Sequence, residues 1–183
     1  KEGSKRIMRT RRTLLALGIV LSLIGCGGSD DTAVAASCSS ERVITVNPPT
    51  LLDPTPFGYK HITLDTSSGV AYVAGQVAFS LDGNIVGTTL AEQLVLVEKN
   101  LRFALAALDA GVQDIVRMNV FVKNFQQDPD LATLEPFLFS MGSPVDAVLG
   151  VTSLAIDGLL VEVQMTVAVK QATVERIRCS SKA

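Results

Sequence analysis

The sequence predicts an α/β domain built on a mixed six-stranded sheet with two helices on one face. Three observations carry this prediction. Residues 61–65 alternate in polarity, stop at Ser67-Ser68-Gly69 and resume as a β-branched and aromatic run over 70–77, the pattern of a hairpin. Residues 88–110 then change period: Leu90, Leu94, Val97, Leu101, Leu105 and Leu108 recur at spacings of three and four, as an amphipathic helix requires. From 115 to 124 the period returns to two, with Val116, Met118, Val120 and Val122 on one face and Arg117, Asn119, Phe121 and Lys123 on the other.

The remaining elements follow in chain order. Residues 43–46 form a short strand stopped by Asn47-Pro48-Pro49, and Asp82-Gly83 marks a tight turn after the hairpin. Gly111 is expected to cap the long helix. A second helix is expected over 130–141 with Leu131, Leu134, Phe137 and Leu138 as its stripe. Strands at 147–151 and 159–169 close the pattern, separated by a turn near Asp157-Gly158. The order is therefore β-β-β-α-β-α-β-β within one domain, 41–175, followed by a tail at 176–183.

The first residues read as targeting rather than structure. After an upstream leader at 1–7, Met8 opens a basic stretch with Arg9, Arg11 and Arg12, then an apolar run over 14–24, then Gly25-Cys26. Residues 1–25 thus have the layout of a bacterial signal peptide ending at a lipobox, with Cys26 as the lipidated residue. The apolar run is too short for a membrane span, which needs roughly 20 residues. Residues 26–40 then form a Gly, Ser, Asp and Ala-rich tether. The expected location is exported and lipid-anchored to a bacterial membrane, on the periplasmic side or the cell surface. Gly27 after Cys26 favours the outer membrane.

Cleavage there would remove six bases and one acid, leaving ten basic and seventeen acidic side chains and a formal charge of −7. Such a chain repels phosphate backbones, and no cluster of Lys or Arg is interleaved with aromatics, so nucleic acid is not an expected partner. With Cys26 lipidated, Cys38 and Cys179 remain as an even pair at the two ends of the domain, and a disulfide between them is expected, with two free thiols as the alternative. One histidine, His61, and no Cys cluster give little support to a metal site. A lone histidine without a Gly-flanked serine elbow argues against a nucleophilic triad, and no glycine loop indicates a nucleotide cofactor; no cofactor is expected.

Several motifs, in order and spacing, resemble the Rid family of small enamine and imine deaminases. Val73-Ala74-Gly75-Gln76-Val77 is similar to a family strand ending in Gly-Gln, and Asp82-Gly83-Asn84 to its turn. Asn100-Leu101, Ala110-Gly111 and Asp114-Ile115-Val116 with Val120-Phe121-Val122-Lys123 resemble the central helix, its stop and the following strand. The resemblance spans about 48–170. It implies a chorismate-mutase-like fold, a homotrimer and a small-molecule pocket at each subunit interface.

It also implies a chemistry. Active relatives place an arginine two residues after a proline, where its fork of N–H groups holds a substrate carboxylate while a glutamate and a tyrosine assist attack by water. Tyr59 and Glu162 match the tyrosine and glutamate and are the candidate catalytic residues. Pro144-Val145-Asp146 puts an acid where the arginine belongs, and an ionised Asp repels a carboxylate instead of holding it. Asp146, Asn119, Arg117, Gly75 and Gln76 are the candidate ligand-binding residues. One reading is a binding protein that holds a neutral or cationic ligand without ordinary imine deamination. A second is a hydrolase of imines or related molecules, with another donor such as Arg117 in the arginine's place, and a third is a purely structural trimer. His61, two residues after Tyr59, is expected to be exposed near a strand start.

Overall fold

A computed structural model describes residues 38–180. Six strands, β1 (Val43–Val46), β2 (Ile62–Asp65), β3 (Val70–Gln76), β4 (Ile115–Lys123), β5 (Val145–Val151) and β6 (Val161–Ala168), form one sheet in the order β1-β2-β3-β6-β4-β5. All neighbours are antiparallel except β4 and β5, which run parallel through the connecting helix α2 (Gln127–Ser140). The long helix α1 (Leu90–Ala107) joins β3 to β4 and packs on β3 and β6. The mixed sheet with helices on one face is as expected; a third helix, α3 (Gln171–Ser180), is added.

The α1 stripe forms because its apolar residues repeat at helical spacing. Leu94, Val97, Leu101, Ala104 and Leu105 are buried against Ile62, Leu64, Val73, Val120, Val163 and Val167 from alternate positions of four strands. Thr89 caps its start: its hydroxyl accepts from the Glu92 N–H, while the Glu92 carboxylate accepts from the Thr88 and Thr89 N–H groups. Those bonds hold the Glu92 carboxyl below its usual range. The helix ends before Gly111. Asp109 takes the left-handed conformation (φ 47°) and the Ala110 N–H bonds the Leu105 carbonyl, while Gly111 is extended and begins the turn into β4. Gln93, fully buried, donates to the Gly87 and Gly158 carbonyls and accepts from the Leu160 N–H, tying α1 to the approach of β6.

Four local departures from the expected pattern have physical causes. A bulge at the start of β4, where Ile115 faces Val167 but Arg117 faces Thr166, turns Ile115 into the core and leaves Val116 52% exposed. In α2 only Leu134 and Phe137 are buried; Leu131 lies on the exposed side and Leu138 at the margin. Strand β5 begins at Val145, two residues before the expected start, so Asp146 lies inside it. The segment 176–183, expected as a tail, contributes residues 176–180 to α3, which puts Thr173, Val174 and Ile177 into the core. Cys38 and Cys179 are joined by a disulfide, and the Ser39 N–H and carbonyl bond the Arg178 carbonyl and Nε, so the entry to β1 is held against α3.

Among the described residues no helix is long and apolar enough to cross a membrane. Cys26 and residues 1–37 lie outside the described residues.

Candidate functional site on the open face of the sheet

Strand alternation places the candidate residues on two opposite faces. The helices cover the face of Met118, Val120, Val163 and Met165; the other face carries Tyr72, Arg117, Asn119, Glu162, Gln164 and Thr166 in exposed or half-buried positions. A second bulge, between Val73 and Gln76, sets three steps of β3 against two of β6. It lets Gln76 turn into the interior and brings Gly75 beneath Glu162. A Cβ on Gly75 would collide with the Glu162 Oε1 and Cδ and lie 2.7 Å from its Cγ. Gly75 is not in the left-handed region, so its missing side chain is a matter of room for the carboxylate.

The bulge is held from below by a buried network. Gln76 Nε2 donates to the Ala74 carbonyl (2.9 Å) and lies 3.3 Å from His61 Nδ1. The opposite ring nitrogen of His61, Nε2, is 2.7 Å from the Leu52 carbonyl oxygen. Nδ1 therefore accepts and Nε2–H donates, the arrangement of a neutral imidazole. His61 is 3% exposed, contrary to the expectation of a surface position, because β2 starts beneath the chain that runs over it at Leu51 and Leu52. Tyr59 stacks edge-on against His61 at 5.3 Å, and burial pushes its phenol above the usual range. Asn100 of α1 donates to the Val77 and Phe79 carbonyls and fixes the chain leaving β3. The supporting roles of His61 and Asn100 went unread in the sequence; a buried polar residue beside a Gly-Gln bulge was the available signal.

The structure thus brings Tyr59, Gly75 and Gln76 together, with Glu162 over Gly75. Gln164 Nε2 lies 3.5 Å from Glu162 Oε1, and Gln164 is paired in register with Asn119 of β4. Arg117, opposite Thr166, lies farther along this face. Asp146 is not with them. It pairs in register with Met118, whose side chain is buried under the helices, and it lines a groove of about 630 Å³ with Leu131, Leu138 and Phe139 of α2. In a parallel pair, residues in register point to the same side of the sheet. Within one chain, Asp146 and Glu162 therefore occupy opposite faces. Among the described residues no group of three or more His, Cys, Asp or Glu is arranged to hold a metal.

A sheet of this order with helices on one face and a glutamate seated over a glycine bulge has the Rid fold. Residues 55–169 match the family described as Endoribonuclease L-PSP, and the chain belongs to that family. The solved structure of the Rid family protein YyfB from Yersinia pestis is similar at 28% identity and a TM-score of 0.53, covering 70% of this chain and 100% of its own. Rv2704 from Mycobacterium tuberculosis, of the YjgF/YER057c/UK114 family, matches at 22% identity and TM-score 0.56, covering 69% and 99%. RidA from the Antarctic bacterium Psychrobacter sp. PAMC 21119 matches at 19% and 0.60, covering 69% and 99%. These last two show the fold. No curated protein matches the chain.

Proposed function

We propose that this chain is an exported, lipid-anchored Rid-family protein whose small-molecule pocket forms at the subunit interfaces of a homotrimer around Glu162, Gly75 and Tyr59, and that it does not perform ordinary imine deamination. The observation that carries this reading is an acid at position 146 combined with a glutamate seated over Gly75. An imino acid brings a carboxylate, and a pocket lined by Asp146 and Glu162 offers it two negative charges and no fork of donors. The interface is needed because Asp146 and Glu162 lie on opposite faces of one sheet; a shared pocket takes one from each of two copies. Lipid attachment at Cys26 rests on the sequence motif alone. The family's description as an endoribonuclease finds no support in the acidic balance of residues 26–183.

A second reading has a specific observation behind it. Arg117 is on the Glu162 face and forms no ion pair among the described residues, so a hydrolase could orient water with Glu162 and hold its substrate with Arg117. The decay of 2-iminopropanoate in the presence of the full chain and of its Asp146→Arg variant separates the two. The first reading expects acceleration only by the variant, the second acceleration by the unaltered chain.

A further inference from the structure

We infer that the groove between α2 and the edge strand β5 selects a small organic ammonium ion with an apolar body, held by Asp146 and Glu135 beside Phe139. The inference rests on the reading above for Asp146 as a pocket residue; it adds the class of ligand and a helix wall that the reading does not use. Helix α2 builds that wall because it carries two apolar faces. Leu134 and Phe137 turn into the core, while Leu131, Leu138 and Phe139 share a second face with Glu135 at helical spacings of three and four. The core leaves this second face open: Phe139 is 67% exposed and Leu131 41%. Strand β5 ends the sheet, and its Asp146, on the helix side, supplies the opposite wall. With Pro144, these side chains line the groove of about 630 Å³, a size suited to a small molecule. It lies on the helix side of the sheet, away from the open face that carries Glu162 and Arg117.

Charge and lining together select the ligand. The ionisable groups of the groove are both acids, and no Lys or Arg lines it. Among the described residues neither Glu135 nor Asp146 forms an ion pair or a side-chain hydrogen bond, whereas Asp130 of the same helix accepts from the Gln126 N–H. Two unpaired carboxylates in one groove attract a cation. The rest of the lining decides which kind. A divalent metal ion needs more oxygen ligands than two acids supply, and among the described residues no three His, Cys, Asp or Glu are arranged to hold one. An ammonium with an apolar body suits both halves of the lining: its N–H groups donate to the carboxylates, its hydrocarbon part lies on Leu131 and Leu138, and the Phe139 ring attracts the charge through its π face. The two acceptors stand on different elements, so three separate donors on one nitrogen bridge them where a planar fork engages only one. In the shared pocket proposed above, Glu162 of a second copy adds a third carboxylate of the same sign.

The test is a methyl NMR titration of the full chain in detergent micelles with 2-phenylethylammonium, at neutral pH and constant ionic strength, following Leu131 and Leu138. Parallel titrations use 2-phenylethanol and 3-phenylpropanoate, which carry the same ring without charge and with the opposite charge. Saturable shifts are expected with the ammonium alone. Affinity is expected to fall about tenfold in Asp146→Asn and about threefold in each of Glu135→Gln and Phe139→Ala. The last two alter exposed side chains and serve if Asp146→Asn does not fold. Glu162→Gln separates this inference from the reading it rests on: weaker binding there supports the shared pocket, whereas unchanged binding there, with losses in the Asp146 and Glu135 variants, keeps the groove and removes Glu162 from it. Equal shifts with the alcohol, binding of the propanoate as tight as that of the ammonium, or unchanged affinity in the folded Asp146 and Glu135 variants would each overturn the inference.

Discussion

The Glu162 carboxylate lies over Gly75, in the space that a Cβ at that position would fill. The bulge in β3 creates the overlap, and the His61–Gln76 network beneath fixes it. An alanine at 75 must push the carboxylate aside. Gly75→Ala is expected to destabilise the fold by about 1–3 kcal/mol, as overpacking does. If the cost comes from this one overlap, most of it vanishes in the Glu162→Ala background. Thermal unfolding of the single and double variants measures the coupling.

The disulfide between Cys38 and Cys179 closes nearly the whole domain, at a sequence separation of 141. Constraint of so long a loop is worth up to about 5 kcal/mol in the unfolded state. Reduction, or Cys38→Ser with Cys179→Ser, is expected to lower the melting temperature by on the order of 10 °C. An unchanged melting curve in reductant would show that the bond adds nothing to stability.

Acid sensitivity is expected to centre on Asp65. Arg42 forks onto its carboxylate and Ser67 donates through both hydroxyl and N–H, so its carboxyl is held well below the ordinary value of 3.8. A depressed folded-state value means that this stabilisation is complete above about pH 4 and is lost as the pH falls below it. The melting temperature of Arg42→Met is expected to fall less steeply below pH 4 than that of the unaltered chain. Parallel acid limbs would remove Asp65 from the account.

At the alkaline end, burial of Tyr59 raises its phenol above the ordinary value of 10.0. The unfolded phenol then releases its proton first, so stability declines as the pH rises through about 10. Tyr59→Phe is expected to flatten that decline. Ultraviolet titration of tyrosinate in the unaltered chain should show one of its two tyrosines ionising late.

The alternation and helical spacing of β2, β3, β4, β6 and α1 were legible because each buries an apolar face, and α2, which buries only Leu134 and Phe137, was legible from the spacing of its apolar residues rather than from their burial. Helix α3 was not: only Val174 and Ile177 turn inward over its length, too few for a visible period, and the helix is held by the disulfide and the Ser39 contacts. Val116 misled because a bulge shifts the phase of β4 by one residue, which alternation cannot reveal. The separation of Asp146 from Glu162 was also invisible, since it depends on the register of β4 with β5 and β6, set by pairings distant in sequence. The Gly75 and Glu162 pairing was half legible: both residues stood out, but their contact is tertiary.

The central claim is that an acid at 146, combined with a retained Glu162 that a second copy brings to the same pocket, removes ordinary imine turnover while leaving the scaffold in place. Its most direct test is the decay of enzymatically generated 2-iminopropanoate, followed with the full chain, with Asp146→Arg and with buffer. The account predicts that the unaltered chain leaves the decay at the buffer rate and that Asp146→Arg accelerates it by at least about tenfold, as restored positioning of a bound carboxylate would. Clear acceleration by the unaltered chain, abolished in Glu162→Gln, would contradict it.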